Sequence, residues 1–135
     1  LPAKDRHHDT VIRALIKDGW KITGEQVKLI VEDRYLWIDI EAAKTTSDLI
    51  VLVEVKEFDD VESPIETLAS AIGKYFLYRA VLAETKIKTP LYMAVTQTAY
   101  QGILSEKIGV LAVSLADVAI LVFDPEQEEI IQWIL

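Results

Sequence analysis

Apolar residues in this chain recur in two rhythms. From Leu49 to Phe58 the chain is almost continuously apolar, broken only by Glu54, Lys56 and Glu57. Side chains alternate across a strand, so Leu49, Val51, Val53 and Val55 point one way while Ile50, Leu52, Glu54 and Lys56 point the other. Tyr35 to Ile40 predicts another strand, with Leu36, Ile38 and Ile40 on one face and Tyr35, Trp37 and Asp39 on the other. The polar stretch Ala42 to Asp48 then connects the two strands as an antiparallel hairpin, which can bring Asp39 near Glu54. Trp20 to Thr23 and Val27 to Val31 predict two short strands around Gly24 and Glu25.

The helical rhythm begins at Asp5, a capping residue, and carries Val11, Ile12, Leu15 and Ile16 to about Asp18, where Gly19 stops it. His8 shares the inward face of that helix with Val11 and Ile12. Arg6, Arg13 and Lys17 form a stripe elsewhere on it, either a solvated face or one that tracks phosphates. Ser63, Pro64 and Glu66 make a capping box for a helix to about Glu84, whose inner side is read as Ile65, Leu68, Ala69, Ile72, Phe76 and Arg79. Lys74 and Tyr78, four apart, are neighbours on its surface. Beyond it come a strand at Leu91 to Val95, a helix of about Thr98 to Glu106 capped by Thr96, and a short helix over Ile108 to Asp117. Strands at Val118 to Phe123 and Glu129 to Ile134 close the chain, with a turn at Asp124 and Pro125. Such alternation predicts α/β (α+β) layering, and 135 residues suit one domain, 1–135.

Composition narrows the function. A chain 51% hydrophobic and 27% charged is neither disordered nor a coiled coil. It has no Cys, which removes disulfides, thiol catalysis and Cys-ligated zinc. No membrane-spanning run and no signal-peptide core is visible, so a cytoplasmic protein without membrane contact is expected. The net charge of −8 is polarised: the first 34 residues hold seven bases and six acids, whereas no Lys or Arg follows Lys107. An acidic protein attracts nucleic acid poorly in bulk, so any DNA contact needs a local basic patch or a basic partner.

Glycine-rich phosphate loops, a Gly-x-Ser-x-Gly elbow and zinc-spaced histidines are absent from the sequence. What remains is Asp39 at one strand end with Glu54 and Lys56 at the next, an arrangement used in Mg²⁺-dependent phosphodiester cleavage. Two carboxylates, here with the Val55 backbone carbonyl and waters, hold a hard cation such as Mg²⁺, or Mn²⁺ in its place. The cation acidifies a bound water and stabilises phosphoryl charge, while Lys orients that water or counters the same charge. Glu-x-Lys alone is a weak signal because both residues are common. The plainer reading is an exposed ion pair worth about 0–1 kcal/mol, with Asp39 starting a turn.

Several runs resemble the XisH family over essentially the whole chain: Pro2 to Asp5 with His8, Ala14 to Thr23, Val53 to Phe58, and Val122 to Glu126 followed by Ile131 to Ile134. The resemblance implies a restriction-endonuclease-like fold of the PD-(D/E)xK superfamily, with a central mixed sheet flanked by helices. It also implies a role as a controlling factor for excision of the fdxN element in cyanobacteria, beside a site-specific recombinase and a small companion, XisI. The superfamily pattern makes Asp39 the metal Asp, Glu54 the second carboxylate and Lys56 the lysine. It places His8 where many relatives have a metal-binding Glu, making His8 a further candidate ligand. Lys74 with Tyr78 falls where the superfamily often has Gln and Tyr near DNA. Two roles remain open: a Mg²⁺-dependent DNA endonuclease, or an inactive accessory factor that binds the companion or recombinase. For the second, the apolar edge of Ile130, Ile131, Trp133, Ile134 and Leu135 is a pairing surface, either within the sheet or against another chain, and a homodimer is expected.

Overall fold

The computed structural model describes residues 6–59 and 61–135, so the predicted cap Asp5 lies outside the described residues. Six strands run in chain order across one sheet: β1 (Trp20–Val31), β2 (Arg34–Lys44), β3 (Ile50–Val55), β4 (Leu91–Thr96), β5 (Ile120–Asp124) and β6 (Glu129–Ile134). β2 runs antiparallel to both β1 and β3, β3, β4 and β5 are parallel, and β6 returns antiparallel to β5. Parallel neighbours need a long crossover, and here helices supply both: α2 (Pro64–Glu84) between β3 and β4, then α3 (Gln97–Gln101), a 3₁₀ turn (Ile103–Ser105) and α4 (Lys107–Ala116) between β4 and β5. The remaining helix, α1 (His8–Lys17), precedes β1. The structure is thus a mixed sheet flanked by helices, as expected.

The sheet separates two apolar cores. Leu52, Met93, Val95, Ile120 and Val122 pack with Leu68, Tyr75 and Tyr78 of α2. On the opposite face Val51, Val53, Val55, Leu121 and Phe123 pack with Val11 and Leu15 of α1. Local chemistry starts the helices where the sequence indicates. The Ser63 hydroxyl accepts from the Glu66 N–H at 3.3 Å, and the Thr96 hydroxyl from the Ala99 N–H at 3.1 Å. Gly19, at φ 88°, turns the chain from α1 into β1 in a conformation that L side chains rarely adopt.

Five expectations change here. The helix read over about Thr98 to Glu106 is broken at Gly102, where α3 gives way to the 3₁₀ turn. β1 is one strand rather than two, because β2 is long enough to pair along its whole length; a register shift between Ile22 and Gly24 and a φ of 50° at Gln26 absorb the turn-like residues. β2 also extends into the stretch read as loop, reaching Lys44. Leu36 and Ile38 join the core under α2, whereas Ile40 and Ala42 join the core under α1, so strict alternation breaks at Asp39. Finally, the inner face of α2 is Leu68, Ala71, Tyr75, Tyr78 and Leu82; Ile65 and Phe76 are exposed. The tyrosines win because their rings fill the core while a hydroxyl can serve strand ends: Tyr75 donates to the Leu91 carbonyl at 2.8 Å and accepts from the Ala119 N–H at 3.2 Å.

The polarised charge has a structural use. Arg13 pairs with Glu128 at 2.6 Å and Lys17 reaches the Gln127 carbonyl, so the basic stripe of α1 lies against the acidic turn before β6. Arg6 pairs with Glu57 at 2.6 Å. These bases answer the protein's own acids and carbonyls, as a solvated, ion-paired face does.

Candidate metal centre

The β2–β3 ladder ends at Ile40 opposite Val53. One step further, Asp39 and Glu54 face each other, and their side chains take over from the missing backbone bonds. The Asp39 N–H donates to Glu54 Oε1 at 3.0 Å, and the Val55 N–H donates to Asp39 Oδ2 at 2.8 Å. Two carboxylates thereby close the fork where the strands separate. Both are buried, Asp39 at 9% and Glu54 at 2% exposure, amid strands that offer almost no other polarity. Asp39 is a buried pairing residue and not the start of a turn.

Each carboxylate keeps a second oxygen. Glu54 Oε2 lies 3.4 Å from Lys74 Nζ, reaching across from α2, and 4.0 Å from Lys56 Nζ, two positions along its own strand. The Lys74 ammonium stands 5.5 Å from the centre of the Tyr78 ring. Tyr78 is itself 4% exposed and belongs to the core face of α2, so it is no surface neighbour; it backs Lys74 from inside. Burial, and then the charge of Asp39, push the Glu54 carboxyl up to about 7, with Lys56 and Lys74 opposing. Burial pulls the Lys56 ammonium down, partly offset by Glu54. For Lys74 burial also acts downward, but Glu54 and Tyr78 outweigh it and the net direction is up. Burial and Glu54 raise the Tyr78 hydroxyl.

These residues fit a divalent cation. Two buried carboxylates, with Glu54 pushed up to about 7 by burial and then by the charge of Asp39, are a site short of positive charge, and both offer hard oxygen donors. The Val55 carbonyl leaves β3 on the same edge as its N–H, toward Asp39. Asp39, Glu54, Lys56, Lys74 and Tyr78 are thus assembled around one point. His8 is not drawn into this cluster by any hydrogen bond: its Nε2 lies 2.9 Å from Glu25 Oε1 of β1, and its neighbours Val11 and Leu15 belong to the core on the α1 face. Gln26 was missed by the sequence reading. It falls opposite Asp39 in the β1–β2 register, in a left-handed conformation, and its buried amide has no hydrogen bond among the described residues. The polar Gly24 to Gln26 step inside an otherwise alternating stretch was its only signal.

Fold and site together define a mixed-sheet α+β protein with a carboxylate–lysine centre where two strands fork. The chain belongs to the XisH family, whose model matches residues 1–131. It is similar to the crystal structure of an XisH family protein from Nostoc punctiforme PCC 73102, with 33% identity, a TM-score of 0.89, and coverage of 97% of this chain and 100% of that one. It is similar also to the structure of an fdxN element excision controlling factor protein from Anabaena variabilis, with 33% identity, a TM-score of 0.90, and coverage of 98% and 100%. A comparison with curated proteins found no match. Among the described residues, no helix is long and apolar enough to cross a membrane.

Proposed function

We propose that this chain is an excision-controlling factor that acts on DNA through a Mg²⁺-dependent, restriction-endonuclease-like centre, with Mn²⁺ able to replace Mg²⁺. The observation that carries this reading is the exchange of hydrogen bonds at the fork, which fixes Asp39 and Glu54 face to face with Lys56 beside them. Asp39, Glu54 and the Val55 carbonyl would hold the cation. When bound, the cation supplies an acidified water and charge stabilisation at a phosphodiester. Lys56, with its ammonium made more acidic by burial, positions that water and can pass a proton. Lys74, 43% exposed at the mouth and held in place by Tyr78, would meet a backbone phosphate.

The test is a cleavage assay on duplex and branched DNA with Mg²⁺ or Mn²⁺, with and without the XisI-type companion. Wild-type protein is expected to cut, and Glu54→Gln or Asp39→Asn to lose at least about 100-fold in rate. Absence of cutting by wild type in every combination would refute it.

A second reading is favoured by the surface: an accessory factor that binds a companion, a recombinase or its own copy. Leu111 and Leu115 on α4 and Leu135 after β6 are 59%, 92% and 92% exposed. Trp133, by contrast, is half-buried against Trp20 and Tyr92, and Ile130 and Ile134 pack on the cores, so much of the pairing edge is used within the sheet. If partner binding is the whole task, Leu115→Glu abolishes complex formation while Glu54→Gln leaves it intact.

A further inference from the structure

Glu54 faces α2, but three residues later the chain has crossed to the α1 side, where a second set of ligating groups converges. His7 at the start of α1 and Glu57 and Asp59 after β3 each bring one nitrogen or oxygen to a common point, all within 4.8 Å of one another. His7 Nε2 lies 3.4 Å from Glu57 Oε2 and 4.0 Å from Asp59 Oδ2. Ligands about 2.1 Å from a tetrahedral ion stand roughly 3.4 Å apart, so the first distance already suits a shared cation and the others close with side-chain adjustments of about 1 Å.

We propose that His7, Glu57 and Asp59 form a second metal site that takes a borderline transition ion of the Zn²⁺ type. An imidazole beside two carboxylates favours such ions over Mg²⁺, which takes oxygen ligands almost exclusively. Each ligand has a neighbour that helps fix its orientation, as metal ligands commonly do. The His7 ring stands edge-on to Phe123, with centroids 5.7 Å apart and planes at 72°. Glu57 Oε1 accepts the Asp59 N–H at 2.8 Å, and Asp59 Oδ2 accepts the Thr96 hydroxyl at 3.3 Å. Three protein ligands leave a coordination position for water or an anionic oxygen. Arg6 competes for this site: its Nε is 2.6 Å from Glu57 Oε2, the oxygen nearest His7. Zn²⁺ and the Arg6 guanidinium are alternative counter-charges for one carboxylate.

The site makes no use of Asp39 or Glu54, so the two proposals fail separately. Equilibrium dialysis of ⁶⁵Zn²⁺ at neutral pH is expected to give one site that persists in Glu54→Gln and weakens at least about 10-fold in His7→Gln and in Asp59→Asn. Arg6→Gln is expected to tighten it a few-fold. In wild type, the His7 ring resonances shift on adding Zn²⁺, which reads the ligand directly even where a variant folds poorly. Zn²⁺ binding that is indifferent to His7→Gln, is lost in Glu54→Gln, or leaves the His7 ring resonances unmoved would overturn the proposal.

Discussion

The two ends of β3 hold the same kinds of group to opposite effect. Around its start, Asp18 and Lys44 pair at 3.7 Å on the rim of an aromatic hollow made by Trp20, Tyr92 and Trp133. At its finish, Glu54 stands 3.4 Å from Lys74 and 4.0 Å from Lys56, inside the sheet. The Asp18 and Lys44 side chains are 39% and 28% exposed, and Glu54 is 3% exposed. Water screens the first pair, which contributes about 0–1 kcal/mol. The second has little water to help it, so its charges are settled by one another and by protons. At the rim, aromatic packing holds the structure and charge decorates it. In the fork, charge sets the behaviour.

The most severe way to break the contrast is at the aromatic end. Trp133→Ala removes a ring packed 5.3 Å from Trp20 and 4.9 Å from Tyr92, centroid to centroid. The expected loss is about 3–5 kcal/mol of unfolding free energy, with no dependence on pH, measured by denaturant titration. The fork responds less, and in a different manner. Folded Glu54 keeps its proton to about pH 7, whereas unfolded glutamate releases it near 4.5. Its contribution to stability is complete below pH 4.5 and is lost as pH rises through about 7, a fall of about 3 kcal/mol. Glu54→Gln cannot ionise and escapes that fall. In metal-free buffer it is expected to match wild type below pH 4.5 and exceed it by up to about 3 kcal/mol at pH 8, with added Mg²⁺ narrowing the gap by stabilising wild type alone. A difference that stays constant with pH would place the Glu54 titration elsewhere. The smallest effect belongs to Lys44→Met, within about 1 kcal/mol and reduced further by salt. A larger loss would mean that the rim pair is not the screened pair its exposure indicates.

The contrast also separates what could be read from the residues from what could not. Every strand except the continuous β1 was visible as an apolar run bounded by polar or turn residues, and the Ser63 and Thr96 caps follow from local chemistry. That Asp39 can lie near Glu54, 15 positions on, was legible from the hairpin, whereas the exact register waited on a connection shorter than the polar stretch indicates. Facing was harder. α2 carries Ile65, Ala69, Phe76 and Leu77 outside as well as Leu68, Ala71 and Leu82 inside, so its apolar stripe was ambiguous until Tyr75 found partners on β4 and beside β5. The switch of face at Asp39 depends on its neighbour strand, where Gln26 takes a left-handed conformation that alternation cannot foresee. Lys74 could be placed on the helix surface, but not 3.4 Å from Glu54, because that distance follows from how α2 lies on the sheet. The site at His7, Glu57 and Asp59 joins segments about 50 residues apart that share no motif.

The contact of Arg13 with Glu128 joins residues 115 positions apart. Val11 and Leu15 share their core with Ile130 and Trp133, and α1 lies against β6. α1 therefore gains these partners only after β6, more than 100 residues further along, has been made. Until then the α1 face of the sheet lacks Ile130 and Trp133. The last strand is what seats the first helix.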